Sequence, residues 1–137
     1  VTANRPEYFA SDILTFTEGI PGFPDRKKFV IVQEEEIAPF EWLLNIDDEM
    51  DLRFAVVNPL CVHPEYNPDI PDSFIRDLEI TSSDEAIMYV IVTIQDNLAD
   101  TTVNLAGPVI INTKKRLAKQ ILLDSDEYST KEPLMRD

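Results

Sequence analysis

Glycine is scarce in this chain, with three in 137 residues, and cysteine, histidine and tryptophan occur once each. A lone Cys61 excludes an internal disulfide. No apolar run approaches the roughly 20 residues that a membrane-spanning helix needs. The N-terminal "VTANRPEYFASD" lacks the basic-then-apolar pattern of a secretory signal. Together with the cysteine count, this gives an expectation of a cytoplasmic protein. Basic residues are also few. Twelve Lys and Arg stand against 26 Asp and Glu, for a formal net charge of −14. Such a surface repels phosphate backbones and anionic membranes, so neither nucleic acid nor membrane is an expected partner. It attracts basic proteins and speeds their approach.

Catalytic signatures are missing as well. There is no Walker loop, no G-x-G-x-x-G and no G-x-S-x-G. Cys61 and His63 lie two apart, as a thiolate–imidazole pair or two metal ligands would, but a structural zinc wants four ligands and there is no second Cys or His. They are read as a small buried thiol beside a surface histidine. The clusters "EEE" (34–36) and "DDEMD" (47–51) lack the spacing and turning glycine of a calcium loop and read as solvated loop charge. No enzyme activity, metal or cofactor is expected.

What is present is strand-like. Hydrophobic residues make up 44% of the chain, enough for one domain over 1–137 with a real core. "FVIV" (29–32) suits a short buried strand. In "FEWLLNI", Phe40, Trp42, Leu44 and Ile46 alternate onto one face, which predicts that they point into the core, with Glu41 and Asn45 opposite. "RFAVVN" (53–58) is a second strand, joined to the first by a hairpin tip at 47–51. "EAIMYVIVTI" (85–94) has the densest β-branched and aromatic content and predicts a central strand. "TTVNLAGPVIIN" (101–112) reads as two strands broken at Gly107-Pro108. "PDSFIRDLEI" (71–80) predicts a helix with Phe74, Ile75 and Leu78 on one face. "TKKRLAKQILL" (113–123) fits either a helix or a strand returning against "PVIIN". The fold class expected is all-β and mainly antiparallel: a small closed or nearly closed β-barrel with one or two short helices.

"EGIPGFP" (18–24) gathers two of the three glycines. Gly19 and Gly22 admit backbone angles closed to other residues, while Pro21 and Pro24 freeze the angles beside them. A stiff, pre-shaped loop follows, with Ile20 and Phe23 either presented to a partner or packed inside. Asn58-Pro59 reads as a strand end, and Asn104 and Asn112 as turn-bonding side chains. "EYNPDIPDS" (65–73) reads as a stiff surface crossing open to a partner.

"FTEGIPGFPD" (16–25), "PFEWLLNIDDEMDLRFAVVNP" (39–59) and "TVNLAGPVIINTKKRLAKQILL" (102–123), in this order and spacing, closely resemble the FliW family of flagellar assembly factors. The likeness runs from about Phe9 to "YSTKEPL" (128–134). Ala118 departs from the pattern, standing where a glycine of the last hairpin is expected; a left-handed turn there would be strained. The resemblance implies a non-enzymatic protein that binds flagellin, including its C-terminal segment, in the cytoplasm. It also implies that the free protein binds CsrA, a small basic repressor of flagellin translation, and antagonises it away from its RNA groove. The alternative is a small barrel enzyme or ligand binder with an unmarked pocket. The candidate partner-binding residues are Glu18, Gly19, Ile20, Pro21, Gly22 and Phe23 of the corner, the acidic Glu34, Glu35, Glu36, Asp47 and Asp48, and Asn58, Pro59 and Asn104.

Overall fold

Residues 86–93, the segment richest in β-branched and aromatic side chains, form the longest strand and the hub of the sheet. The structure is a computed structural model and describes residues 8–47, 52–124 and 126–134. Its strands are β1 (Leu14–Phe16), β2 (Lys28–Gln33), β3 (Glu41–Asn45), β4 (Arg53–Val57), β5 (Ala86–Thr93), β6 (Thr102–Val103), β7 (Val109–Asn112), β8 (Leu117–Gln120) and β9 (Glu132–Pro133). Among the described residues there is one α-helix, α1 (Asp72–Asp77), beside several single 3-10 turns. Seven strands close a ring in the order β4-β3-β2-β1-β8-β7-β5, with β5 returning to β4. All contacts in the ring are antiparallel except β1 with β8, which is parallel. β6 and β9 extend the sheet from the far end of β5. This is the mainly antiparallel closed barrel expected; the parallel closure and the short β1 and β9 were not.

The strands have two apolar faces. One fills the barrel with Leu14, Phe16, Ile20, Phe29, Leu43, Val56, Val109, Ile111 and Ala118. Phe16 and Phe29, both fully buried, meet edge to face at 5.0 Å. The outer face carries a second cluster around Val57, Val90, Val103 and Leu105, against which Tyr66 and Tyr128 pack. A third lies where Leu78, at the end of α1, meets Ile110 and Ile121. Covering both sides explains why all four residues of β7 are buried. Burying a Leu- or Val-sized side chain is worth about 1.5–3 kcal/mol, so the outer clusters are as much part of the fold as the interior.

Both faces being apolar also overturns one expectation. Cross-strand pairing puts Leu43 in register with Ile31 and Phe54, so Leu43 points into the barrel. Trp42 and Leu44 alternate with it and lie outside, Trp42 packing on the second cluster. Glu41 and Asn45, expected on the face opposite the core, share the inward phase. Glu41 accepts a hydrogen bond from the Tyr89 hydroxyl at 3.0 Å, and Asn45 is fully buried. Alternation identifies two faces, but cannot say which is inside when both are apolar.

The break at Gly107-Pro108 is as expected, and the helix expected over 71–80 forms as the shorter α1; Phe74, and Leu78 just after the helix, face the barrel. The ambiguous 113–123 segment resolves as a hairpin, with β8 pairing β7 from Asn112↔Leu117 to Val109↔Gln120. Its left-handed residue is Arg116 (φ 58°), and not Ala118, which sits in β8 and is 1% exposed. The turn forms without glycine because Asn112 organises it. The Asn112 Oδ1 accepts from the Lys114 and Lys115 N–H groups at 3.0 Å each, and the Arg116 N–H bonds to the Asn112 carbonyl at 2.8 Å. The Asn112 amide also donates to the Leu78 carbonyl at 2.8 Å, tying the end of α1 to β7.

Asn112 is fully buried, so its loss strands these backbone groups. Asn112→Ala is expected to lower the unfolding free energy by about 2–3 kcal/mol in urea denaturation; an unchanged midpoint would contradict its role.

Candidate interaction surface

The barrel interior is filled by side chains, so the candidate site is a surface, and the corner after β1 is its best-defined part. Ile20 and Phe23 bracket a tight turn in which the Phe23 N–H donates to the Ile20 carbonyl at 2.7 Å. Pro21 and Gly22 fill the two central positions, and Gly22 takes φ 91°, the arrangement a type II turn requires. Gly19 has φ 68°, and a Cβ there would lie 2.6 Å from the carbonyl oxygens of Phe23 and Pro24. The corner is thus pre-shaped, as its composition predicts. It divides its two apolar residues: Ile20 is 2% exposed and joins the core, while Phe23 is 40% exposed and lies edge-on to Phe54 at 5.9 Å. Glu18 pairs with Lys119, which also reaches Asp77 at 3.6 Å, fastening the corner to β8 and α1. The bond to Glu18 leads the effects that raise the Lys119 pKa.

At the same end of the barrel, Asp47 is a structural brace. Its Oδ2 accepts from the Lys27 and Lys28 N–H groups (2.6 and 3.3 Å) and from the Asn45 amide (3.1 Å). Partial desolvation pushes its carboxyl up. The Asn45 amide, the two N–H groups and the Arg26 charge outweigh that and hold it below the ordinary value. Asp48 and the rest of the predicted hairpin tip lie outside the described residues.

The remaining candidates are elsewhere. Glu34, Glu35 and Glu36 are exposed at the opposite end of β2, where 35–37 form a 3-10 turn. The Glu34 carboxylate accepts from the Trp42 Nε1 at 3.1 Å, and the Arg53 guanidinium covers the indole at 5.2 Å. Asn58 caps the 3-10 turn 59–61 by accepting from the Leu60 N–H at 2.9 Å, and Pro59 is buried. The Asn104 Oδ1 accepts from the Ala106 N–H at 3.1 Å, the turn role expected of it. The structure therefore brings the corner and Asp47 to one end, places the glutamates and Asn58-Pro59 at the other, and sets Asn104 beside β5. It does not gather them into one patch.

The 65–73 crossing is pinned. Tyr66 is 6% exposed, donates to the Leu105 carbonyl at 2.6 Å, and stacks edge-on against Tyr128 at 4.7 Å. Burial pushes the Tyr66 phenol well up from its ordinary pKa. His63 packs on both rings. Cys61, expected to be buried, is exposed on the 3-10 turn that Pro59 starts. Sequence reasoning also missed two adjoining grooves at the start of β5. One, about 460 Å³, is lined by Asn58, Leu60, Asn67 and residues 86–89; the other, about 400 Å³, by Ile70, Ile75, Ile80 and residues 86–88. Among the described residues no group of three or more His, Cys, Asp or Glu could hold a metal ion, and no helix is long and apolar enough to cross a membrane.

Comparison with known proteins places these features in a family. The family model FliW protein matches residues 3–134. The flagellar assembly factor FliW of Caldicellulosiruptor saccharolyticus is 43% identical over 122 residues, covering 89% of this chain and 79% of the relative. That of Thermoanaerobacter pseudethanolicus is 40% identical over 132 residues, covering 96% and 87%. A crystal structure of the flagellar assembly factor FliW superposes with a TM-score of 0.89 at 38% identity, covering 96% of this chain and 92% of its own.

Two substitutions test the corner. Gly22→Ala pays only for its positive φ, about 1 kcal/mol, whereas Gly19→Ala adds a clash with two carbonyls and is expected to cost about 3 kcal/mol or more. Equal losses in thermal or urea unfolding would contradict the geometry. For Asp47, a folded pKa below the unfolded value contributes stability above about pH 4 that is lost as pH falls through the folded value. The stability gap between the parent protein and Asp47→Asn should therefore be widest above about pH 4 and close below it. A gap that persists at low pH would show that the carboxylate charge is not what matters.

Proposed function

The chain belongs to the FliW family of flagellar assembly factors, and from that premise we propose that it is a non-enzymatic regulator that binds flagellin in the cytoplasm. In this reading flagellin, including its C-terminal segment, occupies the protein while filament subunits are plentiful. When secretion depletes flagellin, the freed protein binds CsrA and relieves repression of flagellin translation. Antagonism is allosteric: the acidic protein docks beside the RNA groove and does not fill it.

The observation that carries this reading is the charge. A formal net charge of −14 sits on a barrel whose interior is already filled with Leu14, Phe16, Phe29 and Leu43. The packed interior favours work done on the outer surface over chemistry in an internal pocket. Docked against a basic protein, exposed carboxylates such as Glu34, Glu35 and Glu36 gain favourable contacts. They also lower the potential felt by phosphates within about a Debye length, some 8 Å at physiological salt. A rigid Phe23 on a pre-shaped corner offers an apolar contact that needs no ordering on binding.

Pull-down with purified flagellin and CsrA tests the partners, and RNA displacement from CsrA tests the mechanism. Replacing Glu34, Glu35 and Glu36 together with Gln is expected to weaken displacement several-fold and to reduce its salt dependence. The reading fails if neither partner is retained at micromolar concentration. Its electrostatic part fails if the triple variant still binds CsrA and displaces RNA with the parent's salt dependence.

A further inference from the structure

Strand β5 has one edge covered along its whole length and the other only in part. The Glu85 carbonyl accepts from the Thr113 N–H at 2.7 Å, and the Ile91 carbonyl from the Asn104 N–H at 2.9 Å. Odd-numbered residues therefore turn their backbone groups toward β7 and β6, and alternation turns those of Ala86, Met88, Val90 and Val92 toward β4. β4 pairs Val57 with Val90 and Ala55 with Val92, and then stops. The next residue in register, opposite Met88, is Pro59. Proline has no N–H, and the Pro59 carbonyl accepts from Val62 and His63 in the 3-10 turn (3.1 and 2.8 Å). The edge at Ala86–Tyr89 thus has no strand beside it among the described residues, and it opens onto the 460 Å³ groove.

We propose that this notch takes an extended peptide segment of a partner protein, which adds a strand along Ala86–Tyr89 in the line that β4 gives up. The Ala86 N–H is held by the Ser83 carbonyl, so main-chain bonds to the Met88 N–H and carbonyl and to the Ala86 carbonyl supply the register, the mode by which sheet edges capture peptides. Side chains on one face of the added strand meet the apolar groove of Ile70, Ile75 and Ile80, and those on the other meet Glu41, their stems crossing Leu60 and Ile87, 53% and 42% exposed. Neither groove is lined by Lys or Arg, and Glu41 is the charged residue of the first. Glu65, Asp69 and Asp84 flank the lining segments in exposed positions. The occupant is therefore apolar at alternate residues with lysine or arginine between them. A second copy of this chain, itself at −14, is repelled from the same place. The inference goes beyond the family role, because it specifies peptide chemistry and does not depend on which protein supplies the segment.

The test uses the full chain and a capped, fluorescent heptapeptide of alternating lysine and valine. Its anisotropy titration is compared with that of the same peptide N-methylated at its three central amides, and with a version in which glutamate replaces lysine. Amide exchange is followed residue by residue by NMR. The lysine–valine peptide is expected to bind, to lose about tenfold or more in affinity on N-methylation, and to slow exchange of the Met88 amide by about tenfold. The glutamate peptide should bind at least about tenfold more weakly. Failure to bind at millimolar peptide, indifference to N-methylation, or an unprotected Met88 amide in the complex would overturn the added strand. Equal affinity for the glutamate peptide would overturn the basic character of the occupant. A dimer in sedimentation, with Met88 protected before peptide is added, would assign the edge to a second copy. None of these failures bears on retention of flagellin or CsrA, which the pull-down reads independently.

Discussion

The strands of this barrel are apolar on both faces, and most of the molecule follows from that. The inner face packs Phe16 and Phe29 against Leu14, Leu43 and Ile111 and leaves the interior full. The outer face would expose Val57, Val90, Ile110 and Ile121 were it not covered. The long connection between β4 and β5 provides that cover. Its Tyr66 lies over the second cluster, and its short α1 lies over the third. Polar ties hold the cover in place: the Tyr66 hydroxyl to the Leu105 carbonyl, and the buried Asn112 amide to the Leu78 carbonyl. Where the connection departs from β4 at Pro59, it uncovers a short length of β5.

This two-sided burial also decides what could be read from the sequence. The strand content, the break at Gly107-Pro108, the helix and the special angles of Gly19 and Gly22 are local features with local causes, and they were legible. The phase of β3 was not, because Trp42 and Leu43 are both good core residues and only the register against β2 and β4 tells inside from outside. Arg116 in the left-handed region was hidden for another reason. The residue that makes the turn possible, Asn112, lies four positions away and acts through its side chain. Among the candidate partner residues, chemical type was readable but position was not. Asp47 looked like solvated charge and is a brace for β2. Ile20 and Phe23 looked equivalent and point opposite ways. The open edge of β5 has one sequence signal, a proline following the asparagine at the end of β4, and its meaning depends on knowing that the partner strand runs on.

A filled barrel with a strongly acidic exterior is suited to association. The features that could meet a partner are distributed: Phe23 on its rigid corner at one end, the 34–36 glutamates at the other, and the groove at the start of β5. Separate surfaces let one small protein engage two partners in turn or together, and the family role proposed above calls for two. The charge gives long-range attraction to a basic surface, while the apolar corner and grooves supply short-range contacts.

The most direct measurement is residue-resolved amide exchange of the full chain, alone, with flagellin and with CsrA. Surface-mediated binding predicts that each partner slows exchange at exterior loops or edges, while the amides of β1, β2 and β7 around the filled interior keep their rates. Exchange that neither partner alters, or that opens the barrel interior when one binds, would contradict it.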